Sequence, residues 1–467
     1  MTRDFDVIVI GGGPAGIAGA NTAGILGKRV ALVEKLAAVG GAGINTGTIP
    51  SKTLRETALA LSGLRSRKLF GVDLSLRREA TIADFMRHQG SVAAHERRRR
   101  EEQMRTYNVE TFQGAASFVD PHTVRVAPDT LLRGERILIA TGSSPLRPVE
   151  FPFEHPRVHD SDEILEIGVL PKKLAVIGAG VIGAEYAGTF NALGVEVHLI
   201  DGRDSLLGFL DREISDNIQR AMAEAGVRFV WKEKVTRCEA PPTGDIALTL
   251  ASGATLAVSD VLVAAGRQSN TADLNLAAAG LTPGKRGLIN VDAQCRSEVS
   301  HIFAAGDVIG PPALAATGME QARMAMCVAF GFDYKDVVAP ILPTGIYTIP
   351  EASMAGETEE SLKAKGIACV VGRARYADNP RGQIIGDETG VLKLIFARDD
   401  MRLLGVHVVG EQATELVHIG LMAMMSNSGA ELFNRTCFNY PTLGDLYKYA
   451  TYEAMLKQKE MIADENK

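Results

Sequence analysis

Residues 6–16 read DVIVIGGGPAG, and this stretch decides the fold of the first part of the chain. Its first five residues are almost all apolar and β-branched, which is typical of a strand buried on both faces of a parallel sheet. Gly11, Gly13 and Gly16 follow directly and open an alanine-rich helical pattern. In a dinucleotide-binding unit the first glycine permits a tight turn, the second lets a pyrophosphate approach the backbone, and the third lets helix and strand pack closely. The stretch therefore predicts a Rossmann-like unit.

An acid at the end of the next predicted strand supports this prediction. Residues 30–33 form that strand, which ends at Glu34. Glu34 follows Gly11 by 23 residues, close to the spacing of about 20 expected for an acid that binds a ribose hydroxyl. A glycine motif alone is a weak signal, but strand, turn, helix, strand and acid in this order form a specific one.

The same pattern recurs in residues 173–183, which read KLAVIGAGVIG. Gly178, Gly180 and Gly183 follow a predicted strand, and Asp201 ends the next strand, again 23 residues after the first glycine. An internal repeat of this kind predicts a second dinucleotide-binding unit.

Asp201 is the most informative residue for the choice of nicotinamide coenzyme. A carboxylate here suits the free 2′-hydroxyl of NAD and repels the 2′-phosphate of NADP. Arg203, two residues later, either reaches a 2′-phosphate or is a surface charge. We therefore predict NAD(H) as the coenzyme of the second unit, with NADP(H) as the alternative.

Residues 40–52, GGAGINTGTIPSK, resemble the active-site helix of the flavoprotein disulfide reductases, the group of glutathione reductase and dihydrolipoamide dehydrogenase. Those enzymes read GGxCxxxxCxPSK here, whereas this chain has Gly43 and Thr48 at the two cysteine positions. Neither residue can supply the thiolate that disulfide chemistry requires. The resemblance thus implies the frame of a disulfide reductase without its disulfide.

The same resemblance implies that the first nucleotide is FAD, because residues 137–143 (ILIATGS) and 302–307 (IFAAGD) match the family's flavin-binding segments. It implies a catalytic pair of Lys52 and Glu185 near flavin N5. The implied FAD-binding residues are Gly11, Gly13, Pro14, Ala15, Gly16, Glu34, Lys35, Gly41, Thr48, Lys52, Ala116, Thr141, Gly142, Asp307, Leu314 and Ala315. The implied nicotinamide nucleotide-binding residues are Gly178, Gly180, Val181, Ile182, Gly183, Asp201, Gly266 and Arg267.

The fold class expected from this resemblance is α/β, with two Rossmann-like domains and a C-terminal α+β dimerisation domain. The FAD domain would comprise residues 1–148 and 269–340, the inserted NAD(P) domain 149–268, and the dimerisation domain 341–467. The disulfide reductases carry HPTxxE near their C-terminus, where this chain has Tyr440 and Asp445. Tyrosine, with a reference pKa near 10, is a poor general base at neutral pH. We expect a homodimer or a larger assembly, since Tyr440 would reach a flavin only from a partner chain.

Over nearly its full length the sequence is most similar to the soluble pyridine nucleotide transhydrogenases, through GTIPSK, PTGIYTIPE, residues 415–420 and FNYPT. The resemblance implies hydride transfer between NAD(H) and NADP(H) through FAD, with no dithiol chemistry. One alternative is an NADH dehydrogenase that passes electrons from FAD to a quinone, a small molecule or a protein. A flavin-holding protein without turnover, and a disulfide reductase that uses Cys437, are further alternatives, although Cys437 has no evident partner cysteine.

Composition excludes several other classes of function. The net charge of −6 gives no reason to expect nucleic acid as a partner. The five cysteines lie far apart with no CxxC spacing, so we predict no metal site. No apolar run approaches the roughly 18 residues that cross a bilayer, and we expect a cytoplasmic protein without membrane insertion.

Overall fold

The computed structural model describes residues 2–62 and 82–465. The first glycine loop follows β1, a strand of a seven-stranded sheet. The strand order of this sheet is β3-β2-β1-β6-β5-β4, and the seventh strand, β17, pairs with β6. β1 pairs in parallel with β2 and β6, and Val7, Ile8 and Val9 in its centre are fully buried, as the apolar run predicts. The elements of this part are β1 (Thr2–Ile10), α1 (Pro14–Ile25), β2 (Val30–Glu34), α2 (Gly41–Asn45), α3 (Thr48–Leu61), α4 (Ile82–Thr106), β3 (Val109–Gln113), β4 (Ala116–Asp120), β5 (Thr123–Val126), β6 (Thr130–Ile139) and β7 (Ser143–Pro145).

A second parallel sheet, with strand order β11-β10-β9-β15-β8, contains the second glycine loop. Leu174, Ala175 and Val176 of β9 are fully buried, so this strand occupies the place that β1 has in the first sheet. A three-stranded antiparallel sheet, β12-β13-β14, packs beside it. The elements are β8 (Val158–Asp160), β9 (Lys173–Ile177), α5 (Val181–Ala192), β10 (Glu196–Asp201), α6 (Arg212–Glu224), β11 (Arg228–Trp231), β12 (Val235–Glu239), β13 (Ile246–Leu250), β14 (Thr255–Val258) and β15 (Asp260–Val263).

The chain then returns to the first sheet. β16 (Arg267–Ser269) pairs antiparallel with β7, and β17 (Ile302–Ala304) joins the first sheet in parallel with β6. α7 (Ala315–Ala329) packs against α1 through small residues, among them Ala20 and Ala322, in one apolar cluster. The second sheet is therefore an insertion between two parts of the first.

An antiparallel sheet with strand order β18-β19-β22-β21-β20 forms the C-terminal part. Its helices cover a core that includes the buried aromatic residues Tyr376, Phe433 and Tyr447. The elements are β18 (Thr344–Ile346), β19 (Ala352–Gly356), α8 (Glu359–Lys365), β20 (Cys369–Arg375), α9 (Pro380–Ile385), β21 (Val391–Ala397), β22 (Leu403–Val409), α10 (Ala413–Met425), α11 (Ala430–Arg435) and α12 (Leu446–Glu465). The expected α/β class with a C-terminal α+β part is confirmed.

A buried lysine joins the second sheet's layer to the C-terminal sheet. The side chain of Lys393 on β21 is only 1% exposed, and its Nζ lies 2.8 and 2.9 Å from the two carboxylate oxygens of Asp211, the residue that caps α6. Glu213 and Glu359 also pair with this ammonium. Burial alone would lower the pKa of Lys393, but the hydrogen bonds to these carboxylates raise it. No helix in the described ranges is long and apolar enough to cross a membrane.

Candidate active site

The first glycine loop has two glycines that the protein itself requires and one that it does not. Gly11 has a φ of +106°, and an added Cβ would overlap the carbonyl oxygen of Ala140. A Cβ on Gly16 would overlap the carbonyl oxygen of Gly11. By contrast, the nearest atom to a Cβ on Gly13 would be the Cα of Gly41, at 3.8 Å. Gly13 and Gly41 therefore form a backbone cradle whose lack of side chains suits a close ligand.

The second glycine loop repeats this arrangement. Gly178 has a φ of +108°, and its added Cβ would lie 2.5 Å from the carbonyl oxygen of Ala264. A Cβ on Gly183 would overlap the carbonyl oxygen of Gly178, whereas one on Gly180 would meet nothing within 4 Å. The middle glycine thus again faces open space. Val181 and Ile182, both partly buried, begin α5 directly after it.

Three helices begin at these segments without a side-chain cap. Gly13, Gly180 and Leu314 precede α1, α5 and α7, and none of them offers a side-chain oxygen to the first turn. Elsewhere, Asp211 and Asn379 cap α6 and α9 through their carboxylate and amide oxygens. Uncapped N–H groups and the positive end of a helix dipole favour phosphate or other negative charge. The uncapped starts of α1 (Pro14, Ala15), α5 (Val181) and α7 (Ala315) therefore fit the predicted dinucleotide sites.

Glu34 organises the first loop through its carboxylate. Its Oε2 accepts a hydrogen bond from the Gly12 N–H at 2.7 Å, and its Oε1 accepts one from the Leu36 N–H at 2.8 Å. The carboxylate lies at the carboxyl end of β2, where a ribose is expected in this fold. The neighbouring Lys35 is exposed.

Asp201 makes the same two contacts in the second loop. Its Oδ2 accepts from the Ala179 N–H at 2.7 Å, and its Oδ1 accepts from the Arg203 N–H at 2.8 Å. The Arg203 guanidinium also donates to both carboxylate oxygens. Burial would raise the pKa of Asp201, but the hydrogen bonds from Arg203 and from the backbone lower it to about 2. Asp201 is therefore ionised at neutral pH.

Thr141 provides a direct test of whether the first site suits FAD. Its Oγ1 is buried and has no hydrogen-bond partner among the described residues. A buried unsatisfied hydroxyl is unfavourable, so a polar group of a bound molecule is expected to pair with it. The next residue, Gly142, has a φ of +67°, and Ala116 is buried at the start of β4. The unpaired hydroxyl of Thr141 therefore fits a polar group of FAD.

Asp307 and Arg267 meet at Ser143, which sequence reasoning did not single out. The Ser143 hydroxyl donates to Asp307 Oδ2 at 2.7 Å, and Arg267 donates to the Ser143 hydroxyl and carbonyl oxygens at 2.8 and 2.7 Å. Another guanidinium nitrogen of Arg267 lies 3.9 Å from Asp162, a carboxyl whose pKa is raised by burial. Gly266, with a φ of +119°, places Arg267 in β16 at the junction of the first two sheets. The Arg267 side chain thus contacts Ser143 of β7 and Asp162, which follows β8.

Lys52 and Glu185 form an ion pair between α3 and α5. Lys52 Nζ lies 2.5 Å from Glu185 Oε2, and the two side chains are 25% and 9% exposed. The other carboxylate oxygen accepts from the Tyr347 N–H at 2.9 Å, and the Lys52 ammonium lies 5.1 Å from the centre of the Tyr347 ring. Tyr347 is a site residue that the sequence did not reveal. Its segment, IYTIPE, indicated only the dimerisation domain.

The two positions that lack cysteine differ in their surroundings. Gly43 lies in α2, and a Cβ there would come within 2.5 Å of Pro14 Cγ at the start of α1. Thr48 is the first residue of α3 and is exposed. The five cysteines of the chain are all free thiols. The close packing of Gly43 against Pro14 leaves no room for a cysteine side chain without a local shift.

Comparison with known proteins agrees with this geometry. Residues 5–326 match the family model described as pyridine nucleotide-disulphide oxidoreductase, and residues 342–451 match the dimerisation domain of the same family. The chain belongs to this family. Membership implies FAD and nicotinamide nucleotides as cofactors and self-association through the C-terminal domain, as expected from the sequence.

Relatives in the family match along nearly their whole length. The chain is 42% identical over 464 residues to a soluble pyridine nucleotide transhydrogenase of Mycobacterium bovis, covering 98% of this chain and 99% of the relative. It is 40% identical to the protein of that name from Colwellia psychrerythraea, covering 97% and 98%. Among solved structures, the HOCl-induced flavoprotein disulfide reductase RclA from Escherichia coli matches with a TM-score of 0.87 at 27% identity, covering 96% of this chain and 99% of that one.

Proposed function

We propose that this protein is an FAD-dependent oxidoreductase that transfers hydride between NAD(H) and NADP(H) without a protein thiol. The observation that carries the proposal is the Lys52–Glu185 pair, because it joins α3, the helix that holds the second half of the cysteine-free segment, to α5, the helix that follows the second glycine loop. A charge-bearing pair is thus retained where the two nucleotide sites meet. The thiols at positions 43 and 48 are replaced by Gly43 and Thr48.

Bound FAD would supply the group that accepts a hydride from one nicotinamide and returns it to another. The cradle of Gly13 and Gly41, the start of α1, Glu34, Thr141 and Asp307 would hold it. The Lys52 ammonium would stabilise negative charge that develops during transfer, and the Glu185 carboxylate holds that ammonium in place. The N-terminus of α7 would contribute the same sign of charge.

The nicotinamide nucleotides would bind in turn at the second loop, with Gly180 facing the pyrophosphate and Asp201 facing the ribose. Val181 is a small side chain at the start of α5 and leaves space there for a nicotinamide. Hydride exchange between two nicotinamides moves no net proton, so the reaction needs positioning and no acid-base residue. We also propose the domain limits given above and a cytoplasmic location. We further propose that a partner subunit brings its Tyr440 to the flavin site. In the single chain this tyrosine is 68% exposed.

A second candidate is an NADH dehydrogenase that reduces a quinone, a small molecule or a protein. The observation that favours it is Asp201, a carboxylate held at the start of the second glycine loop, where it would face the adenosine ribose. This candidate shares the first half of the reaction and differs only in the electron acceptor.

An initial-rate assay separates the two candidates. Purified FAD-loaded protein is mixed anaerobically with NADPH and thionicotinamide-NAD⁺, and formation of the reduced thionicotinamide is followed by its own absorbance. The proposal predicts sustained turnover in this mixture. Turnover with NADH and a quinone, combined with none between the two nicotinamides, would establish the dehydrogenase instead.

A further inference from the structure

The two nucleotide loops provide an internal comparison of one position. In both loops the acid at the strand end accepts from the backbone N–H of the residue two positions later, which is Leu36 after Glu34 and Arg203 after Asp201. Leu36 is 51% exposed and has no polar side-chain group. Since the first loop forms the same backbone contacts with a leucine, the fold of this turn does not require an arginine. The Arg203 side chain therefore needs a reason other than folding.

Arg203 uses its side chain to cover Asp201. Its Nε donates to Asp201 Oδ1 at 2.9 Å and its Nη2 donates to Oδ2 at 2.7 Å, a two-pronged contact. The guanidinium is 55% exposed whereas Asp201 is 10% exposed, so the arginine lies on the solvent side of the acid. A contact of this exposure adds little to the stability of the folded chain and is readily exchanged for a contact with another anion. Guanidinium groups bind phosphate with the same two-pronged geometry.

A second cation lies over the same turn. Gly202 lacks a side chain, and an added Cβ would lie 3.0 Å from Lys234 Cε, so the Lys234 side chain crosses this glycine. Its ammonium has no ion-pair partner in the described part of the chain. The backbone of the intervening loop is tied to the turn, because the Lys232 N–H donates to the Arg203 carbonyl oxygen. Two cations, one of them without a partner, thus lie next to the predicted ribose acid.

We propose that Asp201, Arg203 and Lys234 together recognise both forms of the adenosine ribose. With NAD(H), Asp201 accepts a hydrogen bond from the 2′-hydroxyl while Arg203 stays paired with the acid. With NADP(H), the Arg203 guanidinium turns from Asp201 to the 2′-phosphate, and Lys234 supplies the second positive charge. This inference rests on the proposed function, in which both coenzymes are substrates, and it removes the apparent conflict between Asp201 and NADP(H).

Binding of fragments that cannot transfer hydride tests this proposal. ADP-ribose and 2′-phospho-ADP-ribose are titrated into the FAD-loaded protein at low ionic strength by calorimetry, with fluorescence of the single tryptophan, Trp231, as a second signal. Trp231 is the β-ladder partner of Asp201 and lies beside the site. We expect Arg203→Ala to weaken binding of the phosphorylated fragment about 10-fold or more and to change ADP-ribose binding less than about 2-fold. Lys234→Ala should act in the same direction with a smaller loss.

Arg228→Ala is the matched control. Arg228 is an exposed arginine on β11 whose guanidinium lies 2.9 Å from the carboxylate of Glu196. Glu196 lies at the amino end of β10, whereas Asp201 lies at the carboxyl end of the same strand. This control should leave both affinities unchanged. Equal affinities of wild type and Arg203→Ala for the phosphorylated fragment would overturn the proposal, as would an equal loss for both fragments. Absence of transhydrogenation in the wild type would refute the proposed function without altering these binding results.

Discussion

Lys52 and Glu185 are 133 positions apart in the sequence, and their Nζ and Oε2 atoms lie 2.5 Å apart. This contact links α3, in the part of the chain with the first sheet, to α5, in the part with the second sheet. Because Tyr347 donates its N–H to the same glutamate, the C-terminal part also contacts this pair. Three parts of the chain thus converge on one ammonium group.

Replacing Lys52 with methionine should slow the first half of the reaction. The substitution keeps an unbranched side chain, one atom shorter, and removes the positive charge, so we expect reduction of the bound flavin by NADH to slow about 10²-fold. Stopped-flow absorbance measures this rate, and the visible spectrum checks that FAD is retained. Lys28→Met is the control, since Lys28 also lies over an aromatic ring, that of Phe330, but just before the amino end of β2. An unchanged rate in Lys52→Met would remove this residue from the mechanism.

Adding a side chain at position 43 should destabilise the protein. In Gly43→Ala the new Cβ would meet Pro14 Cγ at 2.5 Å, and overpacking of this kind typically destabilises by about 1–3 kcal/mol. Gly90→Ala is the matched control on α4, where an added Cβ meets nothing within 4 Å and should stabilise the helix by up to about 1 kcal/mol. Thermal unfolding of the FAD-loaded proteins compares the two. A Gly43→Ala protein as stable as wild type would show that α2 moves freely away from Pro14.

Removal of the buried lysine should have a larger effect. Lys393→Met leaves the carboxylate of Asp211, which is 0% exposed, without its counter-charge, and breaking a buried pair of this type destabilises by about 3–5 kcal/mol. Denaturant unfolding followed by Trp231 fluorescence reports on the adjacent sheet. Lys365→Met breaks the ion pair with Glu357, in which the lysine is 52% exposed, and should change stability by about 1 kcal/mol or less. Equal effects of the two variants would contradict the view that Lys393 stabilises the contact between α6 and the C-terminal sheet.

The stabilisation that the carboxylates around Lys393 provide should fall in acid. Burial would raise the pKa of Glu213, but hydrogen bonds from Arg373 and Lys393 lower it from 4.5 to about 2. Because the folded pKa is the lower one, the stabilisation is complete above about pH 4.5 and is lost as the pH falls toward 2. Unfolding midpoints between pH 6 and pH 3 should therefore decline less in Glu213→Gln than in wild type. Asp204→Asn, at a 68% exposed carboxylate, serves as the comparison, and parallel curves for Glu213→Gln and wild type would refute this assignment.

The parts of the fold that the sequence predicts are those that depend on local pattern. The apolar runs at residues 7–10 and 174–177 lie within β1 and β9, because strands buried on both faces need apolar residues at consecutive positions. The glycine loops are similarly local, since a positive φ or a close backbone approach at Gly11 and Gly178 is possible only for glycine. Glu34 and Asp201 are predicted as ribose ligands from their place at a strand end and their spacing from the first glycine.

The contacts that the sequence did not reveal join residues far apart in the chain. Arg267 lies 124 positions from Ser143 and Lys393 lies 182 positions from Asp211, and no periodicity or spacing reports such a pair. A lysine in a strand pattern is ordinarily exposed, so the burial of Lys393 follows only from the packing of α6 on the C-terminal sheet. The contact of Tyr347 with Glu185 depends in the same way on three parts of the chain coming together.

The most direct test of the central claim is a double-mixing stopped-flow experiment without oxygen. One equivalent of NADH is mixed with the enzyme until the visible flavin absorbance has fallen, and NADP⁺ is then added. The proposed function predicts that the absorbance returns rapidly and that NADPH forms in equal amount. A flavin that is reduced by NADH and then stays reduced in the presence of NADP⁺ would contradict transhydrogenation and identify the protein as an NADH dehydrogenase with another acceptor.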